Sequence, residues 1–246
     1  SSIRNLSKRL SQKENPYSEG EYHRAEEVLK KIREEEKRRF KENGIHYFTP
    51  NRPQLKALKS PAIIVAYVGG NRGGKSTAGA AFLAGHLSGI YPGCKCHGEW
   101  FGRKMERPLK ALIVATSFQK IEEVIEPKLM GFLPKALVKD VRRGHMNYLR
   151  SLVLKDGSKI TCLSGDQDEM EFESADWDLA WIDEPLSHSR FSAIMRGLLD
   201  RNGRMILTFT PKIEPWMKEA FLDKADGKFI DVIEADTYEN TQDIHG

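Results

Sequence analysis

The chain has 246 residues, of which 39% are hydrophobic and 30% charged; 39 Lys and Arg stand against 35 Asp and Glu, for a formal net charge of +4. A chain of this length buries one sizeable α/β core, its near balance of charge permits contact with a polyanion without requiring one, and its three cysteines, an odd number, exclude a disulfide framework. No apolar stretch approaches the ~18–20 residues of a membrane span and Ser1-Ser2-Ile3-Arg4 is no signal peptide, so the expectation is a soluble, intracellular protein that engages no membrane.

Residues 1–20 lack periodicity, contain Asn15-Pro16 and Ser18-Glu19-Gly20, and read as flexible. From Glu21 to Glu42 the chain is dense in Glu, Lys and Arg, with Val28, Leu29, Ile32 and Phe40 loosely at helical intervals, which predicts an amphipathic, largely solvated helix. Such a helix is either the outside of the domain or a contact arm for a neighbouring subunit or partner. Beyond Pro50, short apolar runs alternate with helical stretches, the pattern of a parallel sheet flanked by helices. Strands are expected at 63–68, 111–115, 177–182 and 205–209, with a weaker one at 229–233. Residues 152–163 hold two β-rich runs around Asp156-Gly157 and predict a hairpin or two adjacent antiparallel strands. Cys94, Cys96 and His97 lie close together, but C-x-C-H lacks a second ligand pair at zinc-like spacing and reads as a reduced loop without metal. The acid-rich stretch Asp166 to Glu173 reads as a solvated loop.

The first apolar run leads directly into Gly69-Gly70-Asn71-Arg72-Gly73-Gly74-Lys75-Ser76, a complete G-x-x-x-x-G-K-S, and the helix formers Ala78, Ala80, Ala81 and Leu83 follow. Strand, loop and helix in that order are what a phosphate-binding loop needs. Glycines let successive backbone N–H groups turn onto the β- and γ-phosphates, and the helix directs the positive end of its dipole to the same place. Lys75 would reach the phosphate oxygens, and Ser76 would hold Mg²⁺ through its hydroxyl, since a hard cation shared with phosphates takes few protein ligands. Arg72 is within reach of the γ-phosphate and reads as an arginine finger supplied in cis, or else as a structural donor. Gln54, which follows Tyr47-Phe48-Thr49-Pro50-Asn51-Arg52-Pro53, offers an amide edge complementary to N6 and N7 of adenine, or is simply an exposed helix residue. The expected nucleotide contacts are thus Gln54, Gly69, Gly70, Asn71, Arg72, Gly73, Gly74, Lys75, Ser76 and Thr77, with ATP and Mg²⁺ as ligands.

Further on, Asp178-Leu179-Ala180-Trp181-Ile182-Asp183-Glu184 is an apolar strand that ends in two carboxylates. Successive side chains on a strand point opposite ways, so Asp183 is expected to face the Mg²⁺ and Glu184 the attacking water, as general base or water-orienting group. The plain alternative is a solvated acidic turn. In Met205 to Pro211, Thr208 or Thr210 would lie beside these carboxylates and sense the γ-phosphate, or would merely suit a strand as β-branched residues.

On these motifs the chain resembles the ATPase half of the large terminase subunit of tailed bacteriophages, over roughly residues 45–240. The resemblance rests on the loop with its internal arginine, the Pro50 to Gln54 segment, Trp181-Ile182-Asp183-Glu184-Pro185, and Thr208-Phe209-Thr210-Pro211 as a coupling motif. It implies an α/β fold of the P-loop NTPase (ASCE, RecA-like) type: a mainly parallel sheet of order 5-1-4-3-2, with an extra strand between those of the loop and of Asp183, and an N-terminal helical lid. Residues 1–44 would then be the flexible segment and charged helix, and 45–246 the ATPase core. The resemblance further implies Mg²⁺-dependent ATP hydrolysis driving double-stranded DNA into a procapsid. The implied partners are the portal protein, the small terminase subunit and further copies in a pentameric ring, with a monomer when isolated, in the cytoplasm of the infected host and not in the virion. Terminases of this kind also carry a C-terminal RNase H-type nuclease; with the sequence stopping at Gly246, no DNA cleavage is expected of this polypeptide. Proline at 185 replaces the alanine common in related motifs and removes no catalytic group. Arg142, Arg143, Arg190, Arg196, Arg201 and Arg204 are all available as a second arginine acting on a neighbour's site. The competing readings are a helicase-like nucleic-acid ATPase and a nucleotide-gated module without turnover.

Overall fold

The computed structural model describes residues 19–90, 105–173, 176–211 and 215–236. Of the stretch 1–20 expected to be flexible, residues 1–18 lie outside the described residues, as do Cys94, Cys96 and His97, whereas Glu19 and Gly20 already belong to the first helix.

Eight strands form one sheet: β1 Ile64–Gly69, β2 Lys110–Ala115, β3 Val138–Arg143, β4 Leu149–Leu154, β5 Lys159–Ser164, β6 Leu179–Asp183, β7 Arg204–Phe209 and β8 Ile230–Ala235. Their spatial order is β3-β4-β5-β2-β6-β7-β1-β8. All neighbours from β5 to β8 are parallel, whereas β4 is antiparallel to both β5 and β3. Numbered along the chain, β1, β2, β6, β7 and β8 stand in the order 5-1-4-3-2, with β7 between β1 and β6, as the resemblance implies. The two runs around Asp156-Gly157 are the antiparallel pair β4 and β5. Strand β3 was not anticipated: Val-Lys-Asp-Val-Arg-Arg is charged, mostly exposed and on the sheet edge, where charge discourages pairing with other chains.

The central strands read as continuous apolar runs because both their faces are covered. On one face Val65, Tyr67, Ile113 and Trp181 meet Ala78, Phe82 and Leu83 of the helix α3 (Lys75–Ser88). On the other, Ala66, Val114, Ile182 and Leu207 meet Phe191, Ile194 and Leu198 of a later helix, His188–Asp200. The small residues of α3 allow close approach: a Cβ on Gly79 would lie 2.1 Å from the Trp181 ring.

The charged helix α1 (Glu19–Glu42) exposes Val28, Ile32 and Phe40, and Arg38 and Arg39 pair with Glu35 on its surface. It is the solvated helix expected, touching the core through Phe40 against Phe132. No helix among the described residues is long and apolar enough to cross a membrane. The acidic stretch 166–173 is not wholly a loop; Met170–Glu173 makes a helical turn that buries Phe172. Arg204 is fully buried at the start of β7, donating to the carbonyls of Ala62 (3.1 Å) and Ser60, lying 5.3 Å from the Phe82 ring and contacting His86 Nε2 at 3.2 Å. Burial removes it from the arginines available to a neighbouring subunit.

Candidate nucleotide-binding site

Parallel strands bring their carboxyl ends to one edge of the sheet, which is where ligands of open α/β sheets gather. There β1 ends at Gly69, the loop 70–74 follows, and α3 begins at Lys75. The loop is held from three sides. Gly73 N–H donates to Gly70 O at 3.1 Å, the Tyr67 hydroxyl to Gly73 O at 3.1 Å, and Gln54 Nε2 to Gly74 O at 3.2 Å. Gly74, the residue before α3, has φ of 73°, a value glycine adopts without steric cost. Arg72 also has a left-handed φ, 68°, at an exposed position. For a residue with a Cβ such a backbone costs about 1–3 kcal/mol, a strain that tends to persist at functional sites.

Gln54 is buried, not exposed. It belongs to α2 (Arg52–Lys59), whose first turn is closed by Asn51 and Gln54 bonding each other's backbone N–H, each at 3.0 Å. Its amide therefore spans from the start of α2 to the end of the loop. Lys75 folds back over the loop, with Nζ 2.9 Å from both Gly69 O and Gly70 O. Burial lowers its pKa, Glu184 and Asp183 oppose that shift, and Lys120 adds to it.

Asp183 is the last residue of β6 and Glu184 lies just beyond it in a left-handed backbone, so it is this turn of the chain, not strand alternation, that sends the two side chains to different partners. Asp183 is 2% exposed and faces the loop. Its Oδ1 accepts from the Thr208 hydroxyl at 2.6 Å and from Ser76 Oγ at 3.4 Å. Thr208 in turn accepts from Trp181 Nε1 at 2.9 Å. The second oxygen, Oδ2, is buried with no hydrogen bond, and the Lys120 ammonium meets it as an ion pair at 2.8 Å. Glu184 turns the other way: its Oε2 accepts from the Thr210 backbone N–H at 3.2 Å and from the Thr210 hydroxyl at 3.3 Å. Its φ is 76°, directly before Pro185, a second strained position at the same edge.

Ser76 and Asp183 thus lie together as the motif requires, and they fit the cation. Both offer hard oxygen donors, and one Asp183 oxygen is buried with the Lys120 ammonium against it as an ion pair. Thr77, beside Ser76, accepts from Lys128 Nζ at 3.3 Å, and Asn71 is exposed on the loop. Thr208 of β7 is fully buried and addresses Asp183, while Thr210, just beyond the strand, addresses Glu184, so the end of β7 and the residue after it hold the two carboxylates. Sequence reading missed Lys120, Lys128 and Trp181. The first carried a usable signal, a lysine five positions beyond the end of a core strand, where that strand's carboxyl end meets the site. A separate cleft of about 870 Å³, lined by Arg52, Lys56, Lys59, Asp231 and Glu234 among others, includes none of the loop residues.

The family model of the large terminase subunit, T4likevirus-type, N-terminal, matches residues 66–243. No curated protein sequence matches the chain. Among solved structures, the large terminase of a thermophilic bacteriophage is 14% identical with a TM-score of 0.60, covering 79% of this chain and 48% of that one. The ATPase domain of the large terminase of Thermus phage P74-26 is 18% identical with a TM-score of 0.59, covering 76% and 81%. A complex of the first terminase with ADP gives 15% identity and a TM-score of 0.58, covering 78% and 47%. The chain therefore spans about half the length of the first of these terminases. A family match over most of the described core, together with this shared fold, places the chain in the T4likevirus-type large terminase subunit family, at its N-terminal part.

Proposed function

We propose that residues 45–246 form an ASCE-type P-loop ATPase that hydrolyses Mg²⁺-bound ATP to drive double-stranded DNA into a procapsid. The observation that carries this is the divergence of Asp183 and Glu184 at the sheet edge, one toward Ser76 and the other toward Thr210. A protein that only held nucleotide would have no use for a second carboxylate set apart from the metal side. Mg²⁺, held by Ser76 and Asp183, would neutralise charge on the phosphate oxygens. Lys75 would exchange the Gly69 and Gly70 carbonyls for phosphate oxygens, the loop N–H groups would cradle the chain of phosphates, and Arg72 would stabilise charge on the γ-phosphate. Gln54, joined to Gly74, serves the nucleotide side of the loop.

Glu184 orients the attacking water and accepts its proton. Thr210 holds that carboxylate and Thr208 holds Asp183, so a displacement of β7 would couple the site to movement of DNA. In this reading helix α1 is a lid or partner contact, the partners are DNA, the portal protein, the small terminase subunit and other copies in a ring, and the setting is the cytoplasm of the infected bacterium. Solved relatives of the fold carry ADP and ATP-gamma-S, which supports the nucleotide assignment.

The test is steady-state ATP hydrolysis over a protein concentration series, wild type beside Glu184→Gln, at saturating Mg²⁺ and nucleotide. Turnover that falls at least 100-fold in the variant and rises faster than linearly with wild-type concentration is expected. Unchanged turnover in Glu184→Gln would end the assignment of the base.

A further inference from the structure

Two lysines converge on the phosphate loop from a segment outside its motifs. After β2, residues Phe118–Lys120 make a helical turn, Ile121–Ile125 a π turn, and Glu126–Phe132 a second helix, α4. On a regular α-helix, eight residues turn through about 800°, which would leave Lys128 about 80° out of phase with Lys120. The π turn between them is underwound and removes part of that offset; such turns are rare and occur frequently at functional sites. Both ammoniums consequently reach the start of α3. Lys120 Nζ is 2.8 Å from Asp183 Oδ2, and Lys128 Nζ is 3.3 Å from Thr77 Oγ1. With Lys75 they place three ammoniums around the first turn of a 14-residue helix whose dipole adds further positive charge, while Glu184 is turned away onto Thr210. Asp183 opposes them at close range, its buried Oδ2 against Lys120, and Glu184 also acts on Lys75.

This rests on the nucleotide reading above: we propose that Lys120 and Lys128 are a second pair of phosphate-binding cations for the terminal phosphate of a nucleoside triphosphate, and that Lys120 leaves Asp183 to reach it when a metal-bound nucleotide arrives. Lys120 thereby keeps a buried carboxylate compensated in the empty site and passes it on when the site fills. A diphosphate, which lacks the terminal group, gains nothing from either lysine.

Calorimetric titration of ADP and of ATPγS, each with Mg²⁺, into the wild-type chain and the Lys75→Ala, Lys120→Met, Lys128→Met and Lys120→Arg variants tests this. Lys75→Ala is expected to abolish binding of both nucleotides. Lys120→Met and Lys128→Met are expected to hold ADP within about two-fold while ATPγS weakens about ten-fold, with Lys120→Arg restoring most of the preference. In Lys120→Met, the Mg²⁺ concentration needed for half-maximal ADP binding should fall several-fold, since its competitor for Asp183 is gone. Equal loss of ADP and ATPγS in both methionine variants would mean that the lysines only shape the loop, and would overturn the assignment. An unchanged ratio would do the same. Absence of any nucleotide binding by wild type would remove the site reading and this assignment with it.

Discussion

Thr208 is the residue on which the carboxylate geometry depends most directly. Its hydroxyl donates to Asp183 at 2.6 Å and accepts from Trp181 at 2.9 Å, inside a fully buried setting. Thr208→Val keeps the shape and deletes both bonds, leaving the indole N–H of Trp181 buried without a partner. A loss of about 1–3 kcal/mol is expected, read as a lower midpoint in urea unfolding; an unchanged midpoint would show that the network carries no net stability. His86 makes a second prediction. Burial, then the nearby Arg204 and Arg107, holds its pKa well below the usual 6.5, so in the folded chain it stays neutral. The unfolded chain takes up that proton as pH falls through about 6.5, and the folded chain does not. The contribution to stability is therefore complete above that pH and is lost below it, by up to about 1.4 kcal/mol per pH unit. Urea unfolding at pH 7.5, 6.5 and 5.5 should show wild type losing stability more steeply than His86→Gln. Parallel losses would mean that His86 protonates normally when folded.

Helix α3 packs where its residues are small. Gly79→Ala would put a methyl 2.1 Å from the Trp181 ring, and because that ring is tied to Thr208 it cannot simply swing aside. A destabilisation of about 1–3 kcal/mol or more is expected, measured as a drop in thermal midpoint, together with weaker Mg²⁺-nucleotide binding as Asp183 loses its support. Elements of this kind were legible beforehand because their chemistry is local. The five strands of the 5-1-4-3-2 set announce themselves as short apolar runs, and the loop as glycines between a strand and a helix. Strand β3 gave no such sign, because an edge strand with Lys139, Asp140, Arg142 and Arg143 buries almost nothing. The π turn was equally hidden, since Ile121-Glu122-Glu123-Val124-Ile125 suits an ordinary helix and its underwinding is visible only in the hydrogen bonds. Lys120 and Lys128 matter through that turn, so their convergence on Thr77 and Asp183 lay beyond reading residue types. Gln54 was singled out for its amide, which is occupied in capping α2 and in reaching Gly74, a use that depends on a partner 20 residues along the chain.

For the whole molecule, the question is what a neighbouring copy would add. Of the six arginines considered for that role, Arg204 is buried within its own chain, and Arg201 is engaged by Asp176 and Asp178. Arg143 pairs with Glu126, and Arg190 donates to the Gln167 carbonyl. Arg142 and Arg196 are the most exposed of those with ion pairs, their side chains 72% and 67% accessible. The superlinear turnover expected of an assembling motor therefore directs the search for a second arginine to the exposed rims at β3 and at helix His188–Asp200, away from the sheet interior. The contact between Gly79 and Trp181 has a different consequence, for how this sequence can drift. The two positions are far apart along the chain yet share one volume, so a larger residue at 79 is admissible only in a background where 181 has already become smaller. The smaller residue must in turn come with a new donor for Thr208. Substitutions at these three places are accordingly ordered in time, and in a double-mutant cycle Gly79 and Trp181 should show strong non-additivity despite belonging to different elements.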